Sequence, residues 1–204
     1  MSKWADYYKD RVNNKKYEDA FRRKYDLFLG YIAKRIDSSI NRKTGFRKIN
    51  IKEEGCGIGT VSKLVGSFFA PYLFIFSDID PEMIKLCDIN NSLHSPDFVR
   101  NEIKSNFLVE DILSSDKTYV PNSFVVTHGV LEHFSTEDVK SIIDGYNSND
   151  LVTGHIHYVP TDKYTTPSFG DERLCSVDEW VDLVNPTRYI IDNCGKDLYL
   201  ITEK

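Results

Sequence analysis

Long apolar runs are missing from this 204-residue chain. None approaches the roughly 20 residues that cross a bilayer as a helix, so no membrane partner is expected. Residues 1–10, MSKWADYYKD, lack the apolar stretch of a secretory signal, which predicts a cytoplasmic protein. Cysteine is sparse as well. Cys56, Cys87, Cys175 and Cys194 are widely scattered and form no CxxC pair. That spacing argues against a disulfide framework and against a thiolate zinc centre, and no metal is expected. No GK[ST] follows the glycine-rich turn, which excludes a Walker-type phosphate loop.

What is present reads as ordinary globular protein: 41% apolar, 28% charged and 13% aromatic residues. The length suits one domain spanning residues 1–204, with residues 1–45 as a helical amino-terminal arm or lid. The net charge of −5 is unevenly spread. Residues 1–50 carry 14 Lys/Arg against 6 Asp/Glu, or +8. A basic arm of this kind meets an anionic substrate or nucleic acid, or is simply a solvated helical face. Oligomeric state has no signature in the chain.

Phe21, Tyr25, Phe28, Ile32 and Ile36 recur at spacings of three and four, which predicts one amphipathic helix over residues 17–40, broken at residues 41–45. Beyond residue 48 the rhythm becomes strand, turn, helix, repeated. Short strands are expected at 49–51, 72–77, 106–109, 123–127 and 151–159. Between them lie helices carrying Val61, Leu64, Val65 and Phe68, then Met83, Ile84 and Cys87, then Val139, Ile142 and Ile143. Asp80-Pro81, Ser135 and Ser176 supply N-terminal caps, the last opening a helix with Trp180. Residues 188–192 and 198–202 flank a turn at 193–196 and read as an antiparallel hairpin. The expected fold is α/β: a doubly wound, Rossmann-like sheet, mostly parallel, closed by one antiparallel hairpin strand.

The segment Glu53-Glu54-Gly55-Cys56-Gly57-Ile58-Gly59-Thr60 follows a strand and opens a helix, the context of a nucleotide-binding turn. Thr60 stands where the dinucleotide fingerprint needs a small third residue, and Glu53 would repel a pyrophosphate. A nucleotide with no phosphate but with an ammonium and a sulfonium suits that carboxylate. Asp78 ends the second strand, 19 residues after Gly59, where a carboxylate accepts ribose hydroxyls. Asp111 closes the third strand and can accept the adenine amine, with Glu110 as the rival.

Glu53-x-Gly55-x-Gly57-x-Gly59, Asp78 followed by Pro81, Asp111, and Thr127-His-Gly-Val-Leu-Glu-His133 resemble the ordered motifs of class I S-adenosylmethionine methyltransferases. The similarity is greatest to the small-molecule branch and covers about residues 48–134. Glu53 replaces the commoner Asp, and Glu54 stands where an apolar residue is usual. The resemblance implies that Glu53, Gly55, Gly57 and Gly59 hold the methionine end of S-adenosylmethionine. It places Asp78, with Ile79, at the ribose, Asp111 with Ile112 at the adenine, and residues 129–133, beginning with Gly129, where donor and acceptor meet.

Methyl transfer needs the acceptor lone pair held about 3 Å from the methyl carbon, and a base only when the acceptor loses a proton. His133 is the favoured base, and His128, His155 and His157 are the other candidates, the last two on one face of the fifth strand. A hydrogen-bonding role is the plainer alternative for each. Residues 155–173 follow the fifth strand at the ligand-binding edge of such sheets. His155, Tyr158, Tyr164 and Arg173 are the expected acceptor contacts, with Phe169, Asp171 and Glu172 nearby. Trp4, Tyr7 and Tyr8 are either a lid or a terminal anchor. The function expected is methyl transfer to a small-molecule acceptor, with a nucleic-acid (RNA) methyltransferase or a non-catalytic S-adenosylmethionine-binding module as the alternatives. Nucleic acid is the less expected partner because no [DNS]PP[YFW] segment follows the fourth strand.

Overall fold

The computed structural model describes residues 3–39, 49–68, 71–91, 104–166 and 170–204. The expected break at 41–45 and the side chain of Phe169 lie outside the described residues. The chain divides into two compact units, Met1–Ile112 and Leu113–Lys204.

The first unit begins with three helices, α1 (Lys3–Tyr8), α2 (Lys15–Lys24) and α3 (Asp26–Ser38). The single amphipathic helix read from the periodicity is therefore two. Tyr25, at φ −119° and ψ 30°, leaves helical space and separates them. Its ring is buried against Phe21, centroids 4.7 Å apart, so the apolar stripe continues across the break while the backbone does not. Phe28, Ile32 and Ile36 of α3 are fully buried, as expected of a stripe with that spacing.

Three parallel strands follow, in the order β3-β2-β1 (Lys104–Val109, Leu73–Asp78, Asn50–Glu54). Helices α4 (Thr60–Gly66) and α5 (Pro81–Asn91) alternate with them. Strand β2 is a near-continuous apolar run with Phe74, Ile75 and Phe76 all buried, the pattern of a strand covered on both faces. Asp80 caps α5 by accepting the Glu82 amide at 2.8 Å. Val61, Leu64 and Val65 point inward from α4, but Phe68 does not; the helix stops at Gly66 and leaves that ring exposed under the Arg22 guanidinium.

In the second unit β4 (Ser123–His128) pairs parallel with β5 (Val152–Pro160). Strand β7 (Asp197–Glu203) runs antiparallel to both β5 and β6 (Arg188–Asp192), so the terminal hairpin inserts its second strand beside β5. Helices α6 (Thr136–Ser148) and α7 (Val177–Val184) each begin at a serine whose hydroxyl accepts the amide three residues on. The strand order of the seven-stranded sheet is β3-β2-β1-β4-β5-β7-β6, an α/β sheet, mostly parallel, with an antiparallel hairpin at the C-terminus.

No described helix is long and apolar enough to cross a membrane.

Candidate cofactor and acceptor sites

The turn after β1 in the first unit is built from glycines at positive φ: 61° at Gly55, 54° at Gly57 and 66° at Gly59. L-residues pay for that region, so the turn is chemically specified. Gly59 has a second reason. A Cβ there would stand 2.6 Å from Asn91 Nδ2 and 2.8 Å from Phe76 Cε1, inside contact distance. Gly57 is different, since its missing Cβ would meet only Met83 at 3.7 Å and Tyr8 at 3.9 Å. The tight turn is locked from behind by Asn90 and Asn91, whose side-chain amides both donate to the Ile58 carbonyl.

Glu53 lies beneath this turn, 3% exposed, and its Oε2 accepts the Ser62 amide at 2.9 Å. It anchors the first turn of α4. Burial pushes its carboxyl up to about 7, against the hydrogen bonds from Ser62 and Val61. Its neighbour Glu54, unusual at that position, also has a partner. Lys52, fully buried two residues earlier on the same strand face, pairs with Glu54 at 2.9 Å and with Glu110. Glu110 is thus engaged by Lys52, whereas Asp111 is exposed and Ile112 is buried.

Asp78 closes β2. Its Oδ2 accepts the Gly57 amide and its Oδ1 the Asp80 amide, both at 3.0 Å. Desolvation raises its pKa, offset by those amides. Two apolar side chains stand open beside it: Ile79 is 66% exposed, and Val109, paired in register with Asp78, is 59% exposed. The amino-terminal arm reaches the same turn. Trp4 and Tyr8 of α1 pack with Tyr17 on a small buried cluster of Ala5, Ile58 and Met83. Ile58 and Met83 lie far along the chain from these aromatic residues, so spacing rules do not reveal the contacts.

In the second unit, His128 ends β4 and stacks on Tyr158, ring centroids 4.4 Å apart and 20° from parallel. Gly129 follows at φ 69°. The turn Leu131–His133 then buries Glu132, 4% exposed, and burial pushes that carboxyl up to about 8, reinforced by Glu172 and Asp171. His133 Nδ1 lies 3.3 Å from Asp171 Oδ1.

The residues expected to touch an acceptor take different places. His155 and His157 share a face, as alternation along the strand requires, but that face is covered: His155 is 0% exposed. Thr127, His157, His155 and Asn147 form a hydrogen-bonded row with contacts of 2.8, 2.8 and 3.2 Å. An amide oxygen only accepts, so His155 carries its proton on Nε2, and the row then runs Thr127 to His157 to His155 to Asn147. Desolvation lowers the pKa of His155 to about 4 and that of His157 well below its usual value. Tyr158 is buried and donates to Asp197 at 3.0 Å, as does Tyr164 at 2.7 Å. The Arg173 guanidinium donates to Thr136 at 2.7 Å and lies over the Trp180 ring.

No protein-family model and no curated protein matches the chain. Solved structures do. A chain of the complex between the Haloferax volcanii Trm112 methyltransferase activator and its candidate methyltransferase aligns at TM-score 0.67 and 12% identity, covering 100% of this chain and 98% of that one. An S-adenosylmethionine-dependent methyltransferase from Clostridium acetobutylicum aligns at TM-score 0.58 and 9% identity, over 91% of this chain and 98% of that one. The small RNA methyltransferase HEN1 aligns at TM-score 0.67 and 12% identity, over 88% of this chain and 25% of that one. Identities this low speak to architecture, and the strand order agrees with them: the chain has the fold of the class I S-adenosylmethionine-dependent methyltransferases.

Proposed function

We propose that the chain transfers a methyl group from S-adenosylmethionine to a small-molecule acceptor. The observation that carries this reading is Asp78: a carboxylate at the end of β2, tied to the Gly57 amide and flanked by the open apolar side chains Ile79 and Val109. Each carboxylate oxygen has accepted one amide and keeps a lone pair for a ribose hydroxyl. Ile79 and Val109 offer an adenine ring the apolar contact that otherwise leaves them facing water. Asp111 would accept the adenine amine, since Glu110 is engaged by Lys52. The donor set therefore fits an adenosyl ligand without a phosphate.

S-adenosylmethionine supplies an electrophilic methyl group on a sulfonium. Glu53, holding the first turn of α4, keeps the glycine turn in shape, and a cationic methionine end would favour the ionised form of its buried carboxyl. Gly55, Gly57 and Gly59 let the backbone approach the ligand, and Gly129 gives the turn after β4 the same freedom. Where the acceptor loses a proton, His133 or His128 would take it, the His128 ring being stacked on Tyr158. Arg173 and Tyr164, each immobilised by its own hydrogen bond, offer a fixed cation and a fixed aromatic edge to a polar acceptor. His155 is assigned to the packing of the unit instead, because its ring is enclosed and its nitrogens are engaged.

RNA is the second reading for the acceptor, favoured by the +8 balance of residues 1–50, from 14 basic and 6 acidic side chains. Calorimetric titration with S-adenosylmethionine, S-adenosylhomocysteine and NAD tests the cofactor. Binding of the two adenosyl ligands without NAD is expected, and failure of both removes the proposal. Salt-dependent retention on RNA would move the acceptor to the second reading.

A further inference from the structure

We propose a divalent-cation site in the second unit, built from Glu132, His133, Asp171 and Glu172. One ligand atom from each of His133, Asp171 and Glu172 lies within 4.8 Å of the others. Donors on opposite sides of a cation with bonds of about 2.0–2.6 Å stand roughly 4.0–5.2 Å apart, so these atoms already have the spread of a coordination shell. The fourth group, Glu132, precedes His133 in the chain and lies outside that set of three. Glu132 is 4% exposed, its Oε2 has no hydrogen-bond partner, and its carboxyl senses the charges of Asp171 and Glu172. A buried carboxylate oxygen without a donor is costly.

The backbone holds the two halves of the cluster together. The Arg173 amide donates to the Glu132 carbonyl at 2.8 Å, so residues 171–173 are tied to the turn that carries Glu132 and His133. The Arg173 guanidinium is turned to Thr136 and Trp180. His133 Nδ1 stands 3.3 Å from Asp171 Oδ1, a pair able to share a cation. Three carboxylates select a hard cation, and the imidazole selects a first-row ion among those. Mn2+ satisfies both. A cation here makes His133 a ligand, and leaves His128 to receive a proton.

The test is titration of the purified full chain with Mn2+, followed by electron paramagnetic resonance of the free ion, and it needs neither cofactor nor methyl acceptor. The wild-type protein should bind about one Mn2+. The doubly substituted Asp171→Asn, Glu172→Gln protein changes side chains at the surface, should melt like wild type, and should bind Mn2+ about tenfold or more weakly. His133→Asn should lose affinity to a similar degree. Absence of Mn2+ binding by the wild-type protein at millimolar ion, or wild-type affinity in both variants, overturns the site.

Discussion

Asp78 binds its own loop before it binds anything else. Its two amide hydrogen bonds, to Gly57 and Asp80, hold the carboxylate still, so on the proposed reading a ribose would meet acceptors that need no further ordering. Asp78→Ala should therefore weaken S-adenosylmethionine binding by about 1–3 kcal/mol, measured by calorimetry on the folded variant. Asp78→Asn, which keeps one carbonyl oxygen, should lose less. Unchanged affinity in both would move the ribose elsewhere. Asp78 and the glycines were legible in the sequence because their signal is local: a strand, a turn with positive φ, a helix, and a carboxylate one strand later. Lys52 was not, because its partner Glu110 lies 58 residues away. Neither was the grouping of His133 with Asp171 and Glu172, since rules for metal sites look for cysteine pairs and this cluster has none. His155 shows a third kind of failure. Alternation along β5 reveals which face a side chain takes, but not whether that face is covered.

Caps decide where the helices begin, and they were readable because each needs only four consecutive residues. Ser176 and Glu179 form the reciprocal pair: the serine hydroxyl accepts the Glu179 amide at 3.2 Å, and the glutamate accepts the Ser176 amide at 2.7 Å. The helix they start, α7, buries Trp180, whose indole nitrogen donates to the Pro160 carbonyl at 3.0 Å at the end of β5. Ser176→Ala should cost about 1 kcal/mol and lower the melting temperature by about 2–4 °C, read by circular dichroism. A melting temperature equal to wild type would mean that the Trp180 anchor alone sets α7. The amino-terminal helices mark the opposite case. Periodicity over residues 17–40 reports the apolar stripe correctly, yet Tyr25 interrupts the helix without interrupting the stripe. A break that keeps the ring in register leaves no trace in hydrophobic spacing, whereas glycine or proline would have announced it.

At the scale of the whole molecule, Glu53 and His155, one from each unit, titrate in opposite directions. Glu53 in the first unit has its folded pKa raised to about 7, first by desolvation. Between its ordinary value of 4.5 and about 7 the folded chain holds the proton more tightly than the unfolded one, so stability falls as pH rises. His155 in the second unit is lowered from 6.5 to about 4, by desolvation first and by Lys204 second. There the unfolded chain binds the proton better, so stability falls as pH drops through that window. Each full shift corresponds to about 3 kcal/mol. From about 4.5 to 6.5 the Glu53 and His155 slopes oppose one another. Urea unfolding at a series of pH values separates them through variants that cannot titrate. Relative to wild type, Glu53→Gln should gain stability on going from pH 5 to pH 8, because only the wild type must ionise a buried carboxyl. His155→Gln should gain relative to wild type on going from pH 7 to pH 4, because only the wild type must keep a buried imidazole neutral. Wild-type and variant curves that stay parallel across the whole range would show that neither group is held at its displaced pKa.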